Sequence, residues 1–376
     1  YDLILSEPSN PWVSGVSGLF TTEFYAGLKR HLAEGGVFGQ WLHFYELDDD
    51  LALRVLAAIH RNFPAYEIFL TTNTDMLIVA GTGPRLPAPD WSVFSSPGIR
   101  QDLCRFVPLT PATLEATRLG GRELFAPLLD SIASNSDFHP TLDSGAEKRV
   151  FIGQAAVGLQ GLSSDRFSIA GLLEGRRYGL SDDPALGARI PRLSANSVAA
   201  QVRAERAGLP VDRRMAEDAS DAVFTARLWR ASLDSKDKPG SWENWVRQFE
   251  DNERLVSGGA QGTADEVFYR AVYQYIERHR APPPVRAVVD FYHGLAAWDF
   301  PKVIYASDRL IPEIRRKRLW IAPDELRDGT VVAELKVGDA GAARRVFDAL
   351  APMSARPADG LQSRLLDAHI SAAERR

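Results

Sequence analysis

The first indication of the fold comes from residues 1–12, YDLILSEPSNPW. The apolar residues 1–5 are followed at once by a turn, residues 7–11, that contains two prolines. A short apolar run of this kind is typical of a strand buried on both faces of a parallel sheet. The polar side chains of the turn would then lie beyond the carboxyl end of a strand, where open α/β sheets bind their ligands.

The pattern continues outward from this strand as alternating helices and strands. Helical spacing of apolar residues predicts a helix over residues 21–34, with Thr21 or Thr22 as N-cap, and a second helix over 48–62. Residues 36–42 form the second predicted strand, and 66–71 and 75–80 form a closely spaced final pair. The order β-α-β-α-β-β predicts an open, mostly parallel sheet with an antiparallel edge.

Composition and charge limit the classes of function. The 376 residues are 45% hydrophobic and 25% charged, as in an ordinary globular chain. The 44 basic and 49 acidic residues give a net charge of -5, which argues against nucleic-acid binding. A single cysteine, Cys104, excludes an internal disulfide and a cysteine-based zinc site. We expect a cytoplasmic region, because no run approaches the roughly 18 apolar residues of a membrane span.

Three regions are predicted: an α/β domain over residues 1–150, a mixed helix and loop connector over 151–219, and an all-α region over 220–376. The last region contains an internal repeat, because residues 294–312 align without gaps on 334–352 at an offset of 40. Each copy reads as two helices joined by a tight turn and ended by a proline. This pattern resembles tetratricopeptide-type helical hairpins, and we expect such a region to present a surface to a protein partner.

The candidate site residues lie in or just after the ends of the first two strands. A carboxylate, amides, an imidazole and a phenol gathered at one sheet edge could hold an amine and remove its proton. Each side chain also has a structural interpretation, for example a solvated turn carboxylate, a turn-initiating asparagine or a glutamine that caps a strand end. The residues are Glu7, Ser9, Asn10, Gln40, His43 and Tyr45.

Four spaced motifs carry a family resemblance. They are YDLILSEPSNPW at 1–12, GLFTTEFY at 18–25, GGVFGQWL at 35–42 and NSDFHP at 135–140. Together they resemble the polyamine aminopropyltransferases, that is, the spermidine and spermine synthases. The pattern is most similar to the spermidine-synthase-like domains that are fused to multi-spanning membrane segments in bacteria. The resemblance covers residues 1 to about 150 and leaves the helical remainder unexplained.

The resemblance implies the C-terminal half of a methyltransferase-like Rossmann sheet that binds decarboxylated S-adenosylmethionine or S-adenosylmethionine. It further implies transfer of an aminopropyl group to a diamine or polyamine, with Glu7 as the base that keeps the attacking amine neutral. The other candidate residues would orient that amine. The family's glycine-rich nucleotide turn precedes the strand that begins at Tyr1, so the cofactor site is expected upstream, and full-length relatives imply an anchor in the bacterial inner membrane.

The loop departs from the family pattern in one respect that keeps other functions open. The enzymes carry two aspartates three positions apart, whereas this chain has Glu7 and Asn10 there, and an amide cannot act as a base. One alternative is a non-catalytic scaffold with a degenerate synthase fold. A second is a methyltransferase that acts on another nucleophile. The exposed edge of the first strand is also expected to favour pairing with a second copy or a partner.

Overall fold

The computed structural model describes the chain except for residues 9–12, 14, 73, 106–110, 165–168, 177–190, 211–219, 255, 257–262, 319 and 358. It divides into two compact units. The first unit holds residues 1–164 and 189–191, and the second holds 165–188 and 192–376.

The first unit is built on a five-stranded mixed sheet with the order β1-β2-β4-β3-β5. The strands are β1 (Leu3–Ser6), β2 (Val37–His43), β3 (Ala65–Leu70), β4 (Asp75–Gly81) and β5 (Arg118–Gly121).

The expectation of a mostly parallel sheet is wrong. Only β1 and β2 pair in parallel, whereas the β2–β4, β3–β4 and β3–β5 pairs are all antiparallel. The short connection between β3 and β4 makes that pair antiparallel, and because β4 lies between β2 and β3 it also runs antiparallel to β2. The antiparallel strand therefore lies inside the sheet and not only at its edge.

β1 is an edge strand, and the expectation that both of its faces are buried is also wrong. Its only described strand neighbour is β2, and the side chains of Leu3 and Leu5 are 56% and 67% exposed. Among the described residues no strand pairs with its other edge, and such an edge is a template for pairing with another strand.

Helices α1 (Thr22–Lys29) and α2 (Asp49–Asn62) cover one face of the sheet. Phe38 of β2 packs between Tyr25 of α1 and Phe63 at the end of α2, with ring centroids 5.7 and 5.6 Å apart. The Thr21 hydroxyl accepts a hydrogen bond from the Phe24 amide and caps α1, as expected. The helix ends five residues before the predicted Glu34, because the Ala33 amide donates to the Tyr1 carbonyl and draws the chain toward β1.

The remaining helices of the first unit come after β4 in the chain, on either side of β5, and extend beyond residue 150. The Asp49 carboxylate accepts hydrogen bonds from the amides of Gly158 and Leu159, which fixes the start of the last helix against α2. These helices are α3 (Pro97–Leu103), α4 (Pro111–Thr117), α5 (Arg122–Leu129), α6 (Thr141–Ile152) and α7 (Val157–Ser164).

The described part of the second unit is helical. Its core is rich in aromatic side chains, with the rings of Trp229, Trp245, Phe249 and Phe268 in mutual contact. Its helices are α8 (Ile169–Glu174), α9 (Pro191–Ala207), α10 (Ser220–Leu233), α11 (Trp242–Arg254), α12 (Thr263–Arg278), α13 (Pro283–Ala297), α14 (Phe300–Arg315), α15 (Pro323–Val337), α16 (Ala340–Leu350) and α17 (Leu361–Glu374).

The sequence repeat corresponds to two consecutive helical hairpins, α13–α14 and α15–α16. In each hairpin the first helix ends on a residue with positive φ, Trp298 or Gly338. The next residue, Asp299 or Asp339, then caps the second helix by accepting a backbone hydrogen bond. The recurring aspartate in the sequence is therefore an N-cap at the same place in both copies.

No described helix has both the length and the apolar character needed to cross a membrane.

Candidate functional site

The loop that follows β1 begins at Glu7, whose side chain is exposed. Ser9 and Asn10, the next two candidate residues, lie outside the residues that the structure describes. The described part of the loop therefore supplies one carboxylate at the carboxyl end of the edge strand.

The strand register sets the spacing between this carboxylate and the candidates on β2. Ser6, the last residue of β1, pairs with Gln40, and β2 continues for three more residues to His43. At about 3.3 Å per residue, β1 stops roughly 10 Å before the end of β2. Glu7 consequently leaves the sheet beside the middle of β2 and well short of Tyr45.

Gln40 is fully buried and its amide is engaged by the protein itself. Its oxygen accepts a hydrogen bond from the Tyr25 hydroxyl at 3.2 Å, and its nitrogen donates to the carbonyls of Ser6 and Trp41 at 3.3 and 2.9 Å. These contacts tie α1, β2 and the end of β1 together. The geometry thus favours the structural interpretation of Gln40, as the residue that holds the strand end from which Glu7 emerges.

The pleat of β2 separates Gln40 from His43. Residues three apart on a strand project from opposite faces, so these two side chains cannot line one pocket on a single face. Gln40 shares its face with Phe38 and contacts Tyr25 of α1. His43 instead contacts the ring of Trp41, two residues earlier on the same strand.

His43 and Tyr45 are the two predicted site residues that the structure brings together. Their rings stack with centroids 4.2 Å apart and planes inclined by 21°. Burial lowers the pKa of His43 to about 4, although the nearby Asp75 carboxylate opposes the shift. The imidazole is therefore neutral at physiological pH, while the Tyr45 ring, 37% exposed, presents part of its surface to solvent.

Two carboxylates accompany Tyr45 at the end of β2 and were not predicted. Burial and the charges of Asp75 and Glu46 raise the pKa of the Tyr45 phenol. Asp75 is the register partner of His43, and its carboxylate accepts hydrogen bonds from the hydroxyls of Thr72 and Thr74. The signal for Asp75 lay in the β3–β4 hairpin, but it required knowing that β4 pairs with β2.

Asn135, within the motif at 135–140, is buried in the first unit and connects two backbone segments through its side-chain amide. Its amide nitrogen donates to the Phe20 carbonyl at 3.2 Å, and its amide oxygen accepts from the Leu142 backbone N–H at 3.1 Å. Glu23 at the start of α1 accepts from the Ser136 hydroxyl and the Asp137 amide. The motif therefore fixes the entries to α1 and α6, and its role is to hold the fold.

An apolar groove of about 790 Å³ runs beside β1 and α1, away from the carboxyl edge that carries Tyr45. Leu3, Ile4 and Leu5 line one side, and Phe24, Gly27 and Leu28 line the other. The groove follows the exposed strand, and its lining carries Glu23 as well as these apolar side chains.

The arrangement at the end of β2 can attract a cation and offer it an aromatic surface. The described residues contain no group of three or more His, Cys, Asp or Glu side chains arranged to hold a metal ion. Comparisons with protein-family models, curated proteins and solved structures find no match to this chain.

Proposed function

We propose that the first unit is a spermidine-synthase-like domain that binds a polyamine together with an adenosylmethionine-type nucleotide and transfers an aminopropyl group. The observation that supports the polyamine most directly is the exposed Tyr45 ring with the Asp75 and Glu46 charges close enough to raise its pKa. Aromatic faces and carboxylates are the groups that recognise alkylammonium ions.

The fold is compatible with this proposal. β1 and β2 form a parallel pair whose carboxyl ends point to one edge, and β4 lies reversed between β2 and β3. A mixed sheet covered by α1 and α2 is compatible with part of a methyltransferase-like Rossmann sheet.

The spacing of the charges favours an elongated cation with more than one amine. Glu7 leaves the sheet roughly 10 Å before the end of β2, as the register requires. A compact monoamine would contact one of the two places only. A polyamine could place one ammonium near Tyr45 and Asp75 and another amine near Glu7, which would act as the base.

The nucleotide is assigned to no residue of this chain. The sequence has no Gly-x-Gly-x-x-Gly turn between a strand and a helix, which is the element that cradles such phosphates or nucleotides in related folds. The motif that would identify a nucleotide site is therefore absent from this sequence.

Calorimetric titration with spermidine tests the polyamine site. Tyr45→Leu should weaken binding about fivefold, the equivalent of roughly 1 kcal/mol for a cation on an aromatic face. Asp75→Asn should weaken it as well and should flatten its dependence on salt. The matched control is Asp102→Asn, an exposed aspartate of α3. Equal affinity in all four proteins would contradict the site.

Product analysis tests the reaction in the presence of the nucleotide. Methylthioadenosine released from decarboxylated S-adenosylmethionine indicates aminopropyl transfer, whereas adenosylhomocysteine released from S-adenosylmethionine indicates the alternative of a methyltransferase. The absence of both products in a protein that binds spermidine would leave a polyamine-binding domain without catalysis.

A second candidate function, a protein-interaction scaffold, is favoured by the paired hairpins α13–α14 and α15–α16. Both copies use the same aspartate cap after a positive-φ residue, as stacked helical repeats with a tetratricopeptide-like arrangement would. Recovery of one protein partner by residues 220–376, with no spermidine binding to the first unit, would favour this function.

A further inference from the structure

Two buried carboxyl groups in the second unit share one tyrosine hydroxyl. The Tyr292 hydroxyl on α13 lies 3.0 Å from a carboxyl oxygen of Glu250 on α11 and also within hydrogen-bond distance of Glu325 on α15. Tyr292 is fully buried, and Glu250 and Glu325 are only 6% and 8% exposed. The three side chains thus join three helices at one point.

The geometry requires an additional proton in this cluster. A phenol carries one proton and can donate it to one acceptor only. If both carboxyl groups were ionised, the second one would face the lone pairs of the hydroxyl oxygen. Both contacts are hydrogen bonds only when one carboxyl group is protonated and donates to the Tyr292 oxygen.

The charges around the cluster indicate that Glu250 holds this proton. Burial, followed by the charge of Glu325, raises the pKa of Glu250 to about 8. The pKa of Glu325 is also raised by burial, but Arg254 at 4.0 Å and Arg356 favour its ionised form. The charged neighbours from the surrounding elements are Asp251 and Arg254 on α11, Asp324 on α15, and Arg356 after α16.

We propose that Glu250, Tyr292 and Glu325 form a proton-dependent latch that holds α11 on α13 and α15 in the second unit. In the closed latch the Glu250 carboxyl donates to the Tyr292 oxygen, and the Tyr292 hydroxyl donates to the Glu325 carboxylate. Loss of the proton leaves two carboxylates on either side of one hydroxyl. Their repulsion and the cost of burying both charges then favour release of α11.

The sign of the pH dependence follows from linkage. Glu250 keeps its proton to about pH 8 when folded, whereas an exposed glutamate loses it near 4.5. Between these values the folded state binds one more proton than the opened state. Each unit by which the pH rises therefore makes opening of the latch about tenfold more favourable. The latch is therefore most firmly closed at low pH and loosens as the pH rises toward 8.

Hydrogen exchange of the α11 backbone amides, measured by mass spectrometry on the full chain, tests the latch. After correction for the intrinsic pH dependence of exchange, protection of α11 should fall about tenfold per pH unit as the pH rises from about 5.5 to about 7, and less steeply as the pH approaches 8. In Glu250→Gln the side-chain amide can donate to the Tyr292 oxygen without titrating, so the protection of α11 should lose the part of its pH dependence that Glu250 supplies and keep only the part that comes from buried Glu253, whose pKa is also raised by burial. Glu266→Gln, at an exposed position of α12, is the matched control and should behave as the unmodified chain does.

Equal pH dependence in the unmodified chain and Glu250→Gln would overturn the proposal. If Glu250→Gln does not fold, infrared spectroscopy of the unmodified chain gives a second readout. Buried Glu253 and Asp328, whose pKa values are also raised by burial, can add to a protonated carboxyl band. The decisive result is therefore the absence of any such band near pH 6, which overturns the latch.

Discussion

The buried imidazole of His43 should make the first unit lose stability as the pH falls. The pKa of His43 is lowered from 6.5 to about 4 because the ring is fully buried beside Tyr45. Between these two values the unfolded chain binds a proton that the folded chain does not, so the free energy of unfolding falls with decreasing pH. The loss from this one residue, between pH 7.5 and pH 5, should be about 2 kcal/mol.

The substitution His43→Phe isolates this contribution. Phenylalanine preserves an aromatic ring for the contact with Tyr45 and carries no titratable group. Because the chain contains two compact units, a global unfolding signal would mix both, so the readout should be local, as hydrogen-exchange protection of β2 and β4. Relative to His43→Phe, the unmodified chain should lose about thirtyfold of this protection between pH 7.5 and pH 5.

The control is His139→Phe, because His139 is exposed in the same unit. It should retain the full pH dependence of the unmodified chain. The burial of His60, whose pKa is also lowered, contributes equally to all three proteins and cancels in the comparison. Identical pH profiles for the unmodified chain and His43→Phe would refute the assignment of a buried, neutral His43.

Three further predictions concern residues that stabilise packing within one unit, two in the first unit and one in the second. Asn135→Ala should lower the free energy of unfolding of the first unit by about 2–4 kcal/mol in a denaturation assay, because it leaves the Phe20 carbonyl and the Leu142 amide without their buried partner. The control Gln101→Ala, at an exposed position of α3, should have little effect in the same assay. Gln40→Leu should speed hydrogen exchange in β1 by at least tenfold while α2 stays protected; unchanged exchange in β1 would contradict the positioning role of Gln40. Gly329→Ala should destabilise the α13–α15 contact by about 1–3 kcal/mol in thermal unfolding, because the added Cβ would lie 2.6 Å from the Phe291 ring. The control Gly341→Ala on α16 meets only ordinary contacts and should be neutral or stabilising in the same measurement.

Local sequence patterns predicted the first unit's early elements but not their arrangement. The strands after residue 1 and residue 36, and the helix capped by Thr21, followed from apolar periodicity and capping chemistry. The position of β4 did not, because strand order depends on tertiary packing and hairpins give only the pairing of their own two strands. For the same reason the sequence did not predict Asp75 as a neighbour of His43, because its position there depends on the β2–β4 register.

The proximity of two candidate residues was predictable from the sequence, whereas the contacts of Gln40 were not. Sequence reasoning placed His43 and Tyr45 at one strand end, and the structure stacks their rings there. It could not show that the Gln40 amide forms hydrogen bonds with Tyr25, Ser6 and Trp41, since nothing in the sequence reveals which face of β2 meets α1.

β1 connects the exposed sheet edge to the proposed site. The strand is held by β2 on one side and by the Gln40 contact at Ser6. On its other side no described strand pairs with it, and its Leu3 and Leu5 side chains are exposed. Any strand that paired with this edge would bury those two leucines and add backbone hydrogen bonds to β1. Because Glu7 is the next residue but one after Leu5, such pairing would also reduce the freedom of the carboxylate proposed as the base. Association at the edge and binding at the loop are therefore expected to be coupled through β1, since both depend on how firmly the same four-residue strand is held.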